Sequence, residues 1–226
     1  MKTAIVTGAG TGLGAELAKL YAKEGFFVYL IGRTKSSLDT VCEEIKTENT
    51  GSAAAVSLDI RDMTAIENFV KSIPQDHDVT LLINNAGAGR FGPFLESKEE
   101  DLTLLFETNT FGTIYMTKAI LPIMQKNNKG TILNIISTAG LRGKKNESLY
   151  AASKFAVRGF TESLKKELEE TDLRIIPAYM GGMDTPFWDT NDHISDKSRL
   201  RSPSEVAQLI YEQSQVTDEI VIESKK

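Results

Sequence analysis

Three residues near the middle of the chain have types and a spacing that could move a proton. Tyr150 and Lys154 stand four apart in a long helical pattern, so both fall on one helix face. An ammonium beside a phenol favours the phenolate, which predicts a tyrosine pKa below its reference near ~10. A tyrosine tuned that way exchanges a proton at neutral pH. Ser137 closes the apolar run Ile132–Ile136, a buried strand by its pattern. Its hydroxyl would stand where open α/β sheets place their ligands. Each piece is common alone: Y-x-x-x-K recurs by chance in helices, and serine often ends a strand. The set points to chemistry only with a nucleotide-binding turn upstream.

That turn lies near the N-terminus. Thr3–Thr7 is a short apolar strand pattern, followed by T-G-A-G-T-G-L-G from Thr7 to Gly14. A helical pattern with Leu13, Leu17, Leu20 and Tyr21 on one side comes next. Glycines let the backbone approach a phosphate closely, and a helix N-terminus favours an anion. The spacing is T-G-x-x-x-G-x-G, using Gly8, Gly12 and Gly14 with Gly10 extra, rather than G-x-G-x-x-G. The second apolar run, Phe26–Ile31, ends in Gly32-Arg33. A fold that uses NAD would place a carboxylate there, on the ribose hydroxyls. A guanidinium instead suits an adenosine 2′-phosphate, so NADP(H) is expected over NAD(H). The plain alternative is a solvated loop arginine.

The remaining chain alternates between the two periodicities. Thr34–Glu48 is an amphipathic helix on Leu38, Val41, Cys42 and Ile45. Cys42, the single cysteine, is expected to be a buried small hydrophobe and leaves no intrachain disulfide. Ser52–Leu58 is a third strand ending at Asp59-Ile60. Asp59 either accepts from an adenine amino group or caps the helix Met63–Ile73. His77 is expected to be solvated in a polar turn. Val79–Ile83 runs into N-N-A-G, Asn84 to Gly87. Ser97–Lys126 is one long helix whose apolar face uses Leu102, Leu105, Phe106, Thr113, Met116 and Ile120, with Pro122 bending or ending it. Asn109 falls on that face. A buried amide is costly unless bonded, so Asn109 stabilises a kink or holds a water, and the two are compatible. A helix from Ser148 to Thr171 has Ala152, Ala156, Phe160 and Leu164 in a closely packed stripe. Leu173–Tyr179 is a sixth strand interrupted by Pro177. A short helix Glu205–Gln213, capped by Ser202 or Ser204, and a strand Glu219–Ile222 close the chain.

A chain of 226 residues fits one α/β domain, here 1–226. Strand and helix in regular alternation imply a doubly wound parallel sheet with helices on both faces. A net charge of −5 argues against a general nucleic-acid surface. No apolar run nears the roughly 18 residues of a membrane span, and the start is not a secretory signal, so a cytoplasmic protein is the default. No metal site is expected.

With these motifs in this order, the chain resembles the short-chain dehydrogenase/reductase family over essentially its whole length. The resemblance rests on T-G-A-G-T-G-L-G, N-N-A-G, Asn109, Ser137 with Y-x-x-x-K, and the loop after the sixth strand. It implies a seven-stranded Rossmann-like sheet and a nicotinamide cofactor. Gly8, Thr11 and Leu13 would face the pyrophosphate, within the turn shaped by Gly10, Gly12 and Gly14. Asp59 and Ile60 would border the adenine, and Asn85, Ala86 and Gly87 the ribose. Tyr150 would be the acid/base, Lys154 would hold the nicotinamide ribose and tune Tyr150, and Ser137 would bind the substrate oxygen. Asn109 would anchor a water in the relay to Lys154.

Two departures from the family pattern stand out. The usual P-G-x-V-x-T is here Met180-Gly181-Gly182-Met183-Asp184-Thr185, so Met180 replaces the proline that would stiffen the loop. Gly181, Met183 and Thr185 would still meet the nicotinamide amide. The substrate lid, 186–202, is short; it offers Phe187, Trp188 and His193, with His193 solvated and Trp188 either packing the lid or touching substrate. The resulting expectation is an NADP(H)-dependent oxidoreductase for a small carbonyl or alcohol. It would form a homodimer or homotetramer through helices near 100–125 and 150–170. The rivals are a catalytically silent NADP(H)-binding regulator and a structural protein with an incidental glycine turn.

Overall fold

The computed structural model describes residues 1–48, 51–189, 193 and 197–225. Seven parallel strands form one sheet: β1 Lys2–Thr7, β2 Phe27–Gly32, β3 Ser52–Ser57, β4 Asp78–Asn84, β5 Gly130–Ser137, β6 Leu173–Met180 and β7 Ile220–Ile222. Their order is β3-β2-β1-β4-β5-β6-β7. The chain starts at the centre, winds outward to β3, returns to β4 beside β1, and winds the other way. Between β1 and β4 the winding reverses, and such a switch point leaves a crevice at the carboxyl ends of the strands.

Side chains alternate across each strand, and the two faces carry separate cores. Ala4 and Val6 face α1 (Gly12–Lys23), α2 (Lys35–Thr47) and α7 (Pro203–Ser214), through Leu17, Leu38 and Ile210. Ile5 faces the other layer, α3 (Met63–Ser72), α5 (Gly112–Lys126) and α6 (Ser148–Glu167), through Ile66, Met116, Ile120 and Leu164. No helix among the described residues is long and apolar enough to cross a membrane.

A chain of buried amides and hydroxyls pins the centre of the sheet to the second layer. Asn84 and Asn134 are register partners on β4 and β5. Asn84 Nδ2 donates to Asn134 Oδ1 at 2.9 Å and to Thr117 Oγ1 of α5 at 3.0 Å. Asn134 Nδ2 donates to Thr161 Oγ1 of α6 at 2.9 Å. One sheet position thereby fixes both α5 and α6.

Several elements differ from the sequence expectation. The long helix is three pieces: α4 (Glu99–Leu105), a π-helical segment Phe106–Phe111, and α5. The wider turn rotates α4 out of phase, so Leu102 is 42% exposed rather than on the apolar face. Pro122 lies inside α5, which runs on to Lys126. Helix α6 stops at Glu167, short of Thr171. Its buried stripe is Tyr150, Lys154, Val157, Thr161 and Leu164, while Ala152 is exposed. Strand β6 continues through Pro177, which pairs in register with Asn134 just before β7 begins beside Ala178. Asp62, not Asp59, caps α3 by accepting from Ala65 N at 3.0 Å. Ser202 caps α7. His77 is half-buried, with Nδ1 3.0 Å from the Tyr29 hydroxyl and its ring against Phe27. Cys42 is half-buried on the α2 side of the core.

Replacing Asn134 with alanine should leave Asn84 Nδ2 with Thr117 and Thr161 Oγ1 with the Val157 carbonyl, each one buried hydrogen bond short. Urea unfolding should show a loss of about 1–3 kcal/mol, since each of the two lost buried hydrogen bonds is worth about 0.5–1.5 kcal/mol. A loss below about 0.5 kcal/mol would contradict the pinning role.

Candidate active site

The glycine turn and the N-N-A-G segment are built against each other. Thr7 Oγ1 accepts from the backbone N–H of both Asn85 and Ala86 at 3.0 Å, and Asn85 Nδ2 donates to the Thr7 carbonyl at 2.9 Å. Gly8 and Gly12 take φ of +65° and +55°, a region that disfavours a side chain. A Cβ on Gly14 would lie 2.2 Å from the Gly8 carbonyl oxygen, so only glycine fits there. The first helical turn therefore sits close enough to leave its N–H groups open to an anion, a cradle fit for a pyrophosphate. A cavity of about 590 Å³ runs from this turn to Tyr150. Gly10, Thr11, Leu13, Arg33, Asp59, Ile60, Asn85, Ala86, Gly87, Gly181, Met183 and Thr185 line it, as do Ser137 and Lys154.

At the adenosine end, Arg33 is exposed beside Thr34 and Ser37, and its charge acts on the nearby Asp59 carboxylate. Asp59 accepts from Arg61 Nε and Nη2, at 3.1 and 2.7 Å, which holds its carboxyl below the usual range. At the other end, Met180 is buried in the core and the loop after β6 is tied down without a proline. Gly181 N donates to Ile222 O at 2.7 Å, Asp184 N to Arg201 O at 2.9 Å, and Trp188 Nε1 to Met183 O at 2.9 Å. Thr185 packs against Gly12, whose Cβ would come within 3.2 Å of it.

Asn109 sits in the π-helical segment, which turns its side chain toward the N-N-A-G loop. Its Oδ1 accepts from Ala88 N at 2.7 Å, and its Nδ2 donates to Ala88 O and Ser153 Oγ, both at 3.0 Å. The π-helical segment is the kink of the two compatible sequence readings. The amide is engaged by backbone, and it lies beside the space that opens at Gly87 toward Lys154 Nζ.

Tyr150 and Lys154 are 7% and 6% exposed, side by side on α6. Ser137 caps a short turn at the end of β5, its Oγ accepting from Ala139 N at 3.1 Å. Burial pushes the Tyr150 phenol above its usual range; the Ser137 hydroxyl pulls it back, and the Glu147 charge pushes it up again. Burial lowers Lys154 to about 8. The expected downward tuning of Tyr150 by Lys154 is thus not what the geometry gives. Nζ stands 5.8 Å from the phenol ring centre, and the loss of water that weakens the ammonium also disfavours the phenolate.

Two residues outside the sequence motifs belong here. Glu147, 6% exposed, lies one turn before Tyr150 and lines the cavity. Its Oε1 is 2.9 Å from His193 Nε2, so His193 is engaged rather than solvated. Phe91 packs edge-on to Tyr150 with ring centres 5.2 Å apart, and stacks on His193 at 4.5 Å and on Trp188 at 5.3 Å. Neither Glu147 nor Phe91 belongs to a periodic motif, so spacing alone carries no signal for them. Of the expected lid, 190–192 and 194–196 fall outside the described residues.

A family model described as short chain dehydrogenase matches residues 2–195. The chain belongs to the short-chain dehydrogenase family. Its members are oxidoreductases of the CH–OH/C=O pair that act on small molecules. An NADP-dependent 3-hydroxy acid dehydrogenase of Schizosaccharomyces pombe is 31% identical over 220 residues, covering 92% of this chain and 85% of the relative. Among solved structures, a closed serine dehydrogenase complexed with NADP+ matches with a TM-score of 0.87 and 28% identity, covering 98% of this chain and 94% of that one. An actinorhodin polyketide ketoreductase with NADPH matches at 0.89 and 29%, covering 98% and 95%.

The depressed Lys154 pKa fixes the sign of a pH effect. Above about pH 8 the folded chain has released a proton that the unfolded chain keeps until about 10.5, so stability should rise with pH in that window. Tyr150 acts oppositely, but only above about pH 10. Urea unfolding at about pH 7.5 and about pH 9.5 should show this rise in the wild type and lose it in Lys154→Met, whereas parallel pH dependences would contradict the burial argument.

Proposed function

We propose that the protein is an NADP(H)-dependent oxidoreductase that exchanges a hydride with a small carbonyl or alcohol, with Tyr150 as the acid/base. One observation carries this reading: a buried tyrosine and a buried lysine share a cavity that runs without a break to a glycine cradle. Gly8, Thr11, Gly12 and Leu13 would hold the pyrophosphate, with Gly10 and Gly14 keeping the turn close. Asp59 and Ile60 would flank the adenine, Asn85, Ala86 and Gly87 the ribose, and Gly181, Met183 and Thr185 the nicotinamide amide. Arg33 favours a 2′-phosphate because a guanidinium pairs with it through two parallel hydrogen bonds. The relative from Schizosaccharomyces pombe is itself named NADP-dependent.

The bound nicotinamide supplies or accepts the hydride. Tyr150, held protonated by burial, gives its proton to the alkoxide that forms during reduction and takes it back in oxidation. Ser137 donates to the same oxygen and fixes its place. Lys154 would hold the ribose hydroxyls, and its ammonium would stabilise the phenolate left when Tyr150 gives up its proton. Asn109 bonds the Ala88 backbone and would anchor a water in the relay to Lys154. Positioning and preorganised donors provide the bulk of such catalysis. We also infer a cytoplasmic homodimer or homotetramer paired along the helices near 100–125 and 150–170; exposed Phe111 and Phe155, 44% and 42% accessible, support that pairing.

The buried Tyr150 and Lys154 set favours an enzyme over a silent NADP(H) sensor, because sensing needs no proton donor. Tyr150→Phe should reduce NADPH-dependent turnover by roughly 100-fold or more, while NADPH affinity stays within about threefold. Retained turnover would refute the mechanism. NADPH should bind at least roughly tenfold tighter than NADH, and Arg33→Ala should erase the difference. Equal affinities in the wild type would remove the NADP(H) assignment.

A further inference from the structure

Among the described residues, only two charged side chains are buried, Lys154 and Glu147. Lys154 has a role in the proposed reaction. Glu147 has none, yet burying a carboxylate is costly unless it is well partnered. Its side chain meets the His193 imidazole at 2.9 Å. A carboxylate can only accept, so Nε2 carries the proton and the ring is held in one orientation.

That orientation builds a surface. The imidazole lies flat on Phe91, with ring centres 4.5 Å apart and planes 12° from parallel. Trp188 stacks on both rings, at 5.3 Å and 24° to Phe91 and at 6.2 Å and 18° to His193. Phe187 meets Trp188 edge-on at 5.0 Å. Tyr150 meets Phe91 edge-on, and Phe187, Trp188, His193 and Tyr150 all line the same cavity. The wall beside the acid/base is therefore aromatic, three near-parallel rings with Phe187 edge-on to Trp188, and a buried carboxylate bonds its imidazole.

We propose that Glu147 is a specificity-determining residue. It holds His193 flat against Phe91 and so completes an aromatic wall beside Tyr150 that selects carbonyl substrates carrying a flat aryl or conjugated group. Stacking and edge contacts reward a planar neighbour of the carbonyl and give little to a saturated one of equal volume. The inference rests on the oxidoreductase reading for its kinetics, but not for its geometry. Trp188 is the only tryptophan in the chain, so its emission reports the wall without turnover.

The test uses two ketones of similar size, acetophenone and cyclohexyl methyl ketone, with wild type, Glu147→Ala, Glu147→Gln, His193→Ala and the alanine double variant. Wild type should prefer acetophenone. Each alanine variant should raise its KM roughly tenfold, with NADPH affinity within about twofold. The KM for the saturated ketone should hardly move. The double variant should be no worse than either single one, because both remove the same contact. Glu147→Gln, which keeps an acceptor, should restore most of the preference. Trp188 emission should shift to the red in the alanine variants and return in Glu147→Gln. Additive losses, equal losses on both ketones, or a wild type that prefers the saturated ketone would overturn the proposal. An unshifted Trp188 emission would overturn it as well. If wild type reduces no carbonyl at all, the oxidoreductase reading fails, and the emission series alone decides whether Glu147 builds the wall.

Discussion

Desolvation at the carboxyl end of the sheet is the constraint on which the rest of the structure depends. Lys154 and Tyr150 are both removed from water, and both shift toward their neutral forms as a result. Such an arrangement persists only where rigid surroundings forbid its relaxation. Helix α6 is accordingly fixed from several directions: Thr161 on Asn134, Ser153 on Asn109, and Thr110 Oγ1 on the Ser153 carbonyl at 3.1 Å. The hydrogen bonds that hold the helix are themselves buried, where losing a partner is most costly.

Shared contacts also link the two ends of the cavity. Thr7 closes β1 and accepts from the loop after β4, so the glycine cradle and the N-N-A-G segment move as one unit. Asn109 then ties that loop to the helix carrying Tyr150. Directional hydrogen bonds thus connect the cradle with the helix that carries the acid/base. The π-helical segment makes this possible, because a regular helix through Phe106–Phe111 would carry the Asn109 amide round its axis, away from Ala88.

Much of this is legible in the chain. Alternating strand and helix patterns locate all seven strands, and the glycine spacing places the turn. A four-residue interval alone brings Tyr150 and Lys154 together. What escapes the sequence has tertiary origins. The buried amide at Asn109 marks a kink in the long periodic stretch, but not its π-helical form, since the Ala88 backbone that it bonds lies across the cleft. The tuning of Tyr150 is the reverse of the expectation because spacing reports a neighbouring charge and not the loss of water around it. Glu147 and His193 are 46 residues apart and meet only through the fold.

The most direct test of the central claim is isotopic. NADPH carrying deuterium at the transferable nicotinamide position would be incubated with the protein and a set of aldehydes, ketones and diketones, and the alcohols analysed by mass spectrometry. The account predicts deuterium on the former carbonyl carbon of at least one product. Tight NADPH binding with no deuterium in any alcohol would contradict it and return the protein to the class of cofactor sensors.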